Sequence, residues 1–155
     1  MQLSKFSDYA LRVIVHLAAS PDRLMSTRQI AEIHDAKYNH MAKVTGWLVS
    51  EGYAESLRGR GGGLRLAKEP SQISLGSLLR KLEEDKPMVE CLGADGGTCR
   101  LSPSCGLSVA LQNAQEAFFQ TLDPTTVEDV ITLSPGMANL LNFLNDEPLR
   151  PASSA

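Results

Sequence analysis

Apolar residues recur at helical spacing through the first fifty positions of this 155-residue chain. Phe6, Ala10, Leu11, Val13, Ile14, Leu17 and Ala18 fall on one face between Lys5 and Ala19, which predicts a buried first helix. Ser4 or Ser7 is placed to cap it, and Ser20-Pro21-Asp22 ends it, because the residue before proline is pushed out of the helical region. Asp8 and Arg12 are four apart on this helix and can pair across one turn. Ser26 with Gln29 forms a capping box for a short second helix through Ile30, Ala31 and Ile33, ending near His34-Asp35. Met41, Val44, Trp47 and Leu48 then mark a third helix from Tyr38 to Glu51-Gly52, where glycine supplies a left-handed cap. Two short helices across a tight polar turn make a helix-turn-helix.

Beyond Gly52 the period changes from helical to alternating. Tyr53–Leu57 and Leu64–Leu66 read as two strands around Arg58-Gly-Arg60-Gly-Gly-Gly63, a basic, glycine-rich hairpin tip that predicts a wing. A phosphate-cradling loop is the competing reading, but the Lys-Ser or Lys-Thr of a P-loop is missing and no helix opens after it. Leu75, Leu78, Leu79 and Leu82 predict a helix over Ser74–Glu84, closed off by Pro87. From Leu107 to Leu122 the chain runs sixteen residues without Gly or Pro, the longest helix expected. Leu107, Ala110, Leu111, Ala114, Ala117, Phe118 and Leu122 share its face, and the small alanines favour close approach of a second copy over packing within one domain. A short helix with Pro124 in its first turn follows. After Ser134-Pro-Gly136, an apolar stretch (Met137, Leu140, Leu141, Phe143, Leu144) is placed to pack back, and Pro148–Ala155 is expected to fray. The expected fold is mainly α with a small β-hairpin wing. Its parts are a winged helix-turn-helix domain over 1–84, a loop over 85–106, a dimerisation helix with its following short helix over 107–133, and a C-terminal tail over 134–155.

Composition makes this an ordinary globular protein, 43% hydrophobic and 21% charged. No stretch approaches the ~20 apolar residues that span a bilayer, and the first residues lack the basic start and apolar run of a secretory signal. No membrane partner is expected, and the expected compartment is the cytoplasm. A net charge of −3 argues against nucleic acid only if it is spread evenly. Residues 1–80 hold 11 Lys and Arg against 7 Asp and Glu, a balance of +4, whereas 81–155 hold 4 against 11, a balance of −7. The basic half carries the residue types that read a groove. Tyr38, Asn39, His40 and Lys43 occupy the first turns of the third helix, Arg28 lies on the second, and Arg58 and Arg60 stand at the wing tip, suited to a narrow minor groove. Many three-helix cores also show polar first turns to water, so the wing sharpens this reading.

All three cysteines fall in one loop, Cys91-Leu-Gly-Ala-Asp-Gly-Gly-Thr-Cys99-Arg-Leu-Ser-Pro-Ser-Cys105. Glycines 93, 96 and 97 let it fold around something, and Pro103 fixes φ toward the next helix. An odd count argues against a disulfide framework, and clustered thiols in a reducing compartment point to zinc or an iron–sulfur cluster rather than idle cysteines. A fourth ligand must come from outside the loop. His16 lies near the apolar face of the first helix, His34 at a helix end and His40 on the groove-facing turn. No catalytic constellation is present, and no enzyme activity is expected.

The opening Met-Gln-Leu-Ser-Lys-Phe-Ser-Asp-Tyr-Ala-Leu-Arg, the wing and the three-cysteine loop resemble the winged-helix iron–sulfur regulators that include NsrR, IscR and RirA, over roughly residues 1–133. The resemblance implies a homodimer on palindromic double-stranded operator DNA. It also implies a [4Fe-4S] cluster, with [2Fe-2S] as the alternative, bound by Cys91, Cys99 and Cys105. The IscR type has a histidine three residues after the last cysteine, where this chain has Ser108. The NsrR type takes an aspartate from the partner subunit at the position of Asp8. The expected function is therefore a repressor that senses nitric oxide and releases its operator. The alternatives are an iron- or redox-responsive regulator of the RirA or IscR kind, a zinc-stabilised DNA-binding protein and an electron-transfer protein.

Overall fold

The computed structural model describes residues 2–59, 61–101 and 104–146. Among them are seven α-helices and one two-stranded antiparallel hairpin: α1 Lys5–Ala19, α2 Thr27–Ile33, α3 Tyr38–Ser50, β1 Ala54–Leu57, β2 Gly63–Leu66, α4 Leu75–Glu83, α5 Gly106–Leu122, α6 Val127–Leu133 and α7 Pro135–Asp146. No helix among the described residues is long and apolar enough to cross a membrane.

Helix α1 is the hub. Ser4 caps it, accepting from the Ser7 N–H, and its Ala10, Val13, Ile14 and Leu17 are buried, with α3, α4, α6, α7 and β2 packed around them. Ile30 of α2 and Met41, Val44 and Leu48 of α3 close the same core, together with Ile73, Leu78 and Leu82 from the α4 side. Each fully buried side chain of this size is stabilising by about 1.5–3 kcal/mol.

The helix-turn-helix is built by local chemistry. Both arms of the Ser26–Gln29 capping box are present. The turn then reverses at Asp35, which takes φ 48°, while the Ala36 N–H returns to the Ala31 carbonyl at 2.8 Å. The hairpin pairs Ala54 with Leu66 through Leu57 with Gly63. It is anchored to the domain by Met25, which exchanges two backbone hydrogen bonds with Leu64 (3.1 and 2.8 Å). Gly59 (φ 113°) and Gly61 (φ 83°) turn its tip, in a region that disfavours other residues.

Two expectations shift. Pro124 stands before α6 rather than in its first turn, because Thr126 and Asp129 form the capping box that starts the helix at Val127. The segment assigned to a C-terminal tail contains α7, whose Leu141 is buried and which packs on α1, α2 and α6. The fraying expected of Pro148–Ala155 and the role given to Pro103 concern residues outside the described ones.

Candidate functional site

Tyr38, Asn39 and Lys43 stand exposed on the first turns of α3. His40, expected beside them, is half-buried because its ring meets Tyr9 of α1 edge-on at 5.1 Å. Arg28 of α2 lies over the Tyr38 ring at 5.5 Å, so it shares their surface. Arg58 is exposed at the wing tip, while Arg60 lies outside the described residues. This surface presents cations, amides and aromatic edges, the groups that contact phosphates and base edges.

The three cysteines are free, Cys99 exposed and Cys91 and Cys105 half-buried. Cys91 sits in a single 3-10 turn, Glu90–Leu92, that packs against α5, and Cys105 is the N-cap residue of α5. Between Cys91 and Cys99 the chain doubles back, since the Glu90 carboxylate accepts from both the Thr98 N–H and its hydroxyl, each at 2.9 Å. Those two bonds hold the Glu90 pKa below its ordinary value. Gly96 and Gly97 make the reversal at φ 70° and 62°, and a Cβ at Gly97 would run into Glu90. The Glu90–Thr98 bonds thus bring the neighbours of Cys91 and Cys99 together, and three thiols as a set suit a soft metal centre. Among the described residues, no group of three or more Cys, His, Asp and Glu side chains is close enough to hold a metal ion.

Asp8 joins the cysteines in no such group; its carboxylate accepts from Arg12 Nε at 3.0 Å and pairs with Arg12 Nη2 at 2.8 Å. Arg12 lies 5.8 Å over the ring of Tyr9, the residue that meets His40. Asp8, Arg12, Tyr9 and His40 therefore form a contact chain from the start of α1 to the first turn of α3. Tyr9 was missed by sequence reasoning, although its spacing from Arg12 on one helix was a readable signal. A second joint also went unread. Glu83 of α4 accepts from the Ser4 N–H (3.2 Å), the Ser4 hydroxyl (3.0 Å) and the Ser7 hydroxyl, which fastens the start of α1 to the helix leading into the cysteine loop.

Helices α4 and α5 are clasped by Arg80, which makes a bidentate pair with Asp123 (2.6 and 2.8 Å) and reaches Glu116 at 2.8 Å. Both carboxyl pKa values fall, chiefly through the Arg80 bonds. The contact of α5 with this joint uses Phe119, its buried residue, outside the apolar stripe expected from sequence. Along that stripe Leu107 (65% exposed), Ala110, Ala114 and Ala117 face outward.

His16 and His34 are linked by a 3.0 Å hydrogen bond between Nδ1 and Nε2, and His16 Nε2 meets Asn145 Oδ1 of α7 at 2.9 Å. Burial lowers both imidazole pKa values; His34, further lowered by His16 and Arg12, is pushed down to about 4. Neutral, hydrogen-bonded and away from the cysteine loop, they serve as structural groups.

With this geometry in hand, similarity identifies the architecture. A family profile described as Rrf2, an iron-dependent transcriptional regulator, matches residues 3–133. The HTH-type transcriptional repressor NsrR of Streptomyces coelicolor is 41% identical over 150 residues, covering 96% of this chain and 99% of that protein. The HTH-type transcriptional regulator NsrR of Bacillus subtilis is 41% identical over 144 residues, with 92% and 99% covered. Among solved structures, CymR, the global cysteine regulator of B. subtilis, has a TM-score of 0.65 at 25% identity over 86% of this chain and 98% of its own. T. potens IscR has a TM-score of 0.66 at 20% identity over 86% and 88%, which speaks for the fold alone. The hairpin beside the helix-turn-helix is a wing, the relatives are regulators rather than enzymes, and the chain belongs to the Rrf2 family of DNA-binding transcriptional regulators.

Proposed function

We propose that this regulator is a homodimeric repressor that holds a [4Fe-4S] cluster on Cys91, Cys99 and Cys105, with Asp8 of the partner subunit as fourth ligand, and that it releases palindromic operator DNA in response to nitric oxide. The observation that carries the reading is the contact chain Asp8–Arg12–Tyr9–His40, which joins the proposed ligand to the recognition helix. When bound, such a cluster supplies iron atoms open to attack by nitric oxide at the position held by the weaker oxygen ligand. The chain's own residues do the rest. A carboxylate engaged as a ligand is less available to Arg12, and a carboxylate set free pairs with it. Arg12 rests on Tyr9, and Tyr9 packs on His40, so the two arrangements press differently on α3. Homodimerisation is supported by the outward stripe of α5, where small side chains allow close approach. Arg28, Tyr38, Asn39, His40, Lys43 and Arg58 are the proposed DNA contacts, together with Arg60. The test is anaerobic purification followed by absorption and native mass measurement during titration with nitric oxide, with operator binding followed in parallel. Cluster loss and operator release in step support the proposal; a colourless, zinc-loaded dimer that binds DNA regardless of nitric oxide refutes it.

A second reading is favoured by the iron-dependent description of the matching family: a [2Fe-2S] or [4Fe-4S] regulator that responds to iron or redox state. Operator release on iron chelation, with no response to nitric oxide, selects it.

A further inference from the structure

Helix α7 lies beyond residues 3–133, the span matched by the family profile, yet it reaches into the reader domain. Its end carries Asn145, whose side chain touches α1 at His16 and at its C-cap, Ser20. The amide Nδ2 donates to Ser20 Oγ at 3.3 Å, which leaves Oδ1 to accept from His16 Nε2–H at 2.9 Å. His16 Nδ1 is then the unprotonated nitrogen, and the 3.0 Å contact requires His34 Nε2–H to donate into it. The chain of bonds has one direction, and both imidazoles are neutral.

Its far end is a sensitive place. His34 is the C-cap of α2; its N–H returns to the Ile30 carbonyl, and it is followed directly by Asp35 at φ 48°. Residues 35–37 are all that separate this latch from Tyr38, the first residue of the recognition helix. His16, at the centre, is wholly buried in the hub helix. Beside the latch, Leu141 buries an apolar anchor and Arg23 pairs with Asp146 at 2.8 Å. The charged groups facing the two rings are Arg23, itself held by Asp146, on the His16 side, and Arg12, itself held by Asp8, on the His34 side. An apolar contact alone tolerates sliding, whereas a directional buried network admits one register.

We infer that α7 is a clamp that fixes the pose of the recognition helix, latched through the hydrogen-bond chain Ser20–Asn145–His16–His34. Asn145 is a positioning residue: it touches no DNA and acts on α3 through the α2 cap. The inference rests on the DNA-binding reading for its affinity measurement only. In the full chain, Asn145→Leu keeps the branched shape and removes the acceptor, while Asn145→Asp keeps an acceptor for His16 and lets Ser20 donate. The probe is a duplex selected from randomised DNA by the wild-type protein at fixed salt. Asn145→Leu is expected to bind it about tenfold more weakly, a coupling of ordinary size, and Asn145→Asp to recover most of that loss. A helix that merely packs would favour Leu over Asp, so equal affinity of wild type and Asn145→Leu, or a better Leu than Asp variant, overturns the clamp. Imidazole 15N spectra form the second arm. Loss of the Nε2–H tautomer at His16 in Asn145→Leu, with shifted amides at Asp35–Asn39, is expected, and unchanged spectra overturn the latch. Failure of the wild type to select any duplex would count against the DNA-binding reading, with the spectra still deciding the latch.

Discussion

Asp8 pairs with its neighbour Arg12, and the proposed ligand role on the other subunit would compete for the same carboxylate. As an exposed pair, Asp8–Arg12 contributes only about 0.2–1 kcal/mol, so the carboxylate can be drawn away at little cost. Asp8→Ala is therefore expected to shift the absorption and circular dichroism of the anaerobic holo-dimer, with Arg12→Ala giving the milder change. Identical spectra and nitric oxide kinetics in Asp8→Ala would return the residue to surface pairing alone. If the proposed cluster is held as described, each of Cys91→Ser, Cys99→Ser and Cys105→Ser should lose most of the bound iron and sulfide, because a set of three thiolates and one weaker ligand leaves no redundancy. Iron and sulfide content per protomer measures this, and a serine variant that keeps full content removes that cysteine from the site. The Asp8–Arg12 pair was legible because i, i+4 spacing is local. The seat of His40 against Tyr9 was not, since it depends on how α1 and α3 cross, and no single-helix pattern encodes a crossing.

Helix ends follow from their caps. Ser4, Ser26 and Ser74 each accept from a first-turn N–H, and all three are readable as hydroxyl residues before an apolar run. The start of α6 was misplaced because Pro124 is a strong signal, whereas the Thr126–Asp129 box that overrides it is spread over four residues. For α7 the apolar residues were visible, but its polar partners lie far away in sequence, at His16 and Ser20. Those histidines set an acid limit. The folded chain holds both below their ordinary 6.5, so the unfolded chain binds more protons, and stability falls as pH drops through 6.5 toward about 4. Urea midpoints should decline over that window in wild type and decline less in His34→Gln. An equal decline would place the acid sensitivity elsewhere. Gly76 marks another tight joint, where a Cβ would overlap the Asp123 carboxylate and the Phe119 carbonyl. Gly76→Val is expected to destabilise by about 1–3 kcal/mol, read by chemical denaturation; a wild-type midpoint would mean that the joint yields.

At the scale of the molecule, the basic N-terminal part and the acidic remainder meet at α4, whose last turn is tied to two different partners. Glu83 fastens its C-terminal end to α1, and Arg80 clasps it to Glu116 and Asp123 beside α5. The outward face of α5 is the proposed seat of a second copy. Ala114→Glu puts a charge into that face and should convert the dimer to monomer, read as a halved mass by light scattering; a variant that stays dimeric moves the interface elsewhere. The sequence pattern marked the stripe correctly as apolar but could not say which side of α5 met its own domain, because Phe118 and Phe119 differ by one position and only the approach of α4 selects between them.

The Gly76 joint also bears on distance along DNA. With α4 seated against α5 so closely that no methyl group fits between them, and with Arg80 bracing the same corner, the angle between each reader and its dimer helix is set within a single chain. Two chains joined through α5 as proposed would carry their third helices at one fixed separation. Such a dimer is a gauge cut to one length, and two half-sites pushed apart by a few base pairs would each be a perfect match that it cannot reach together.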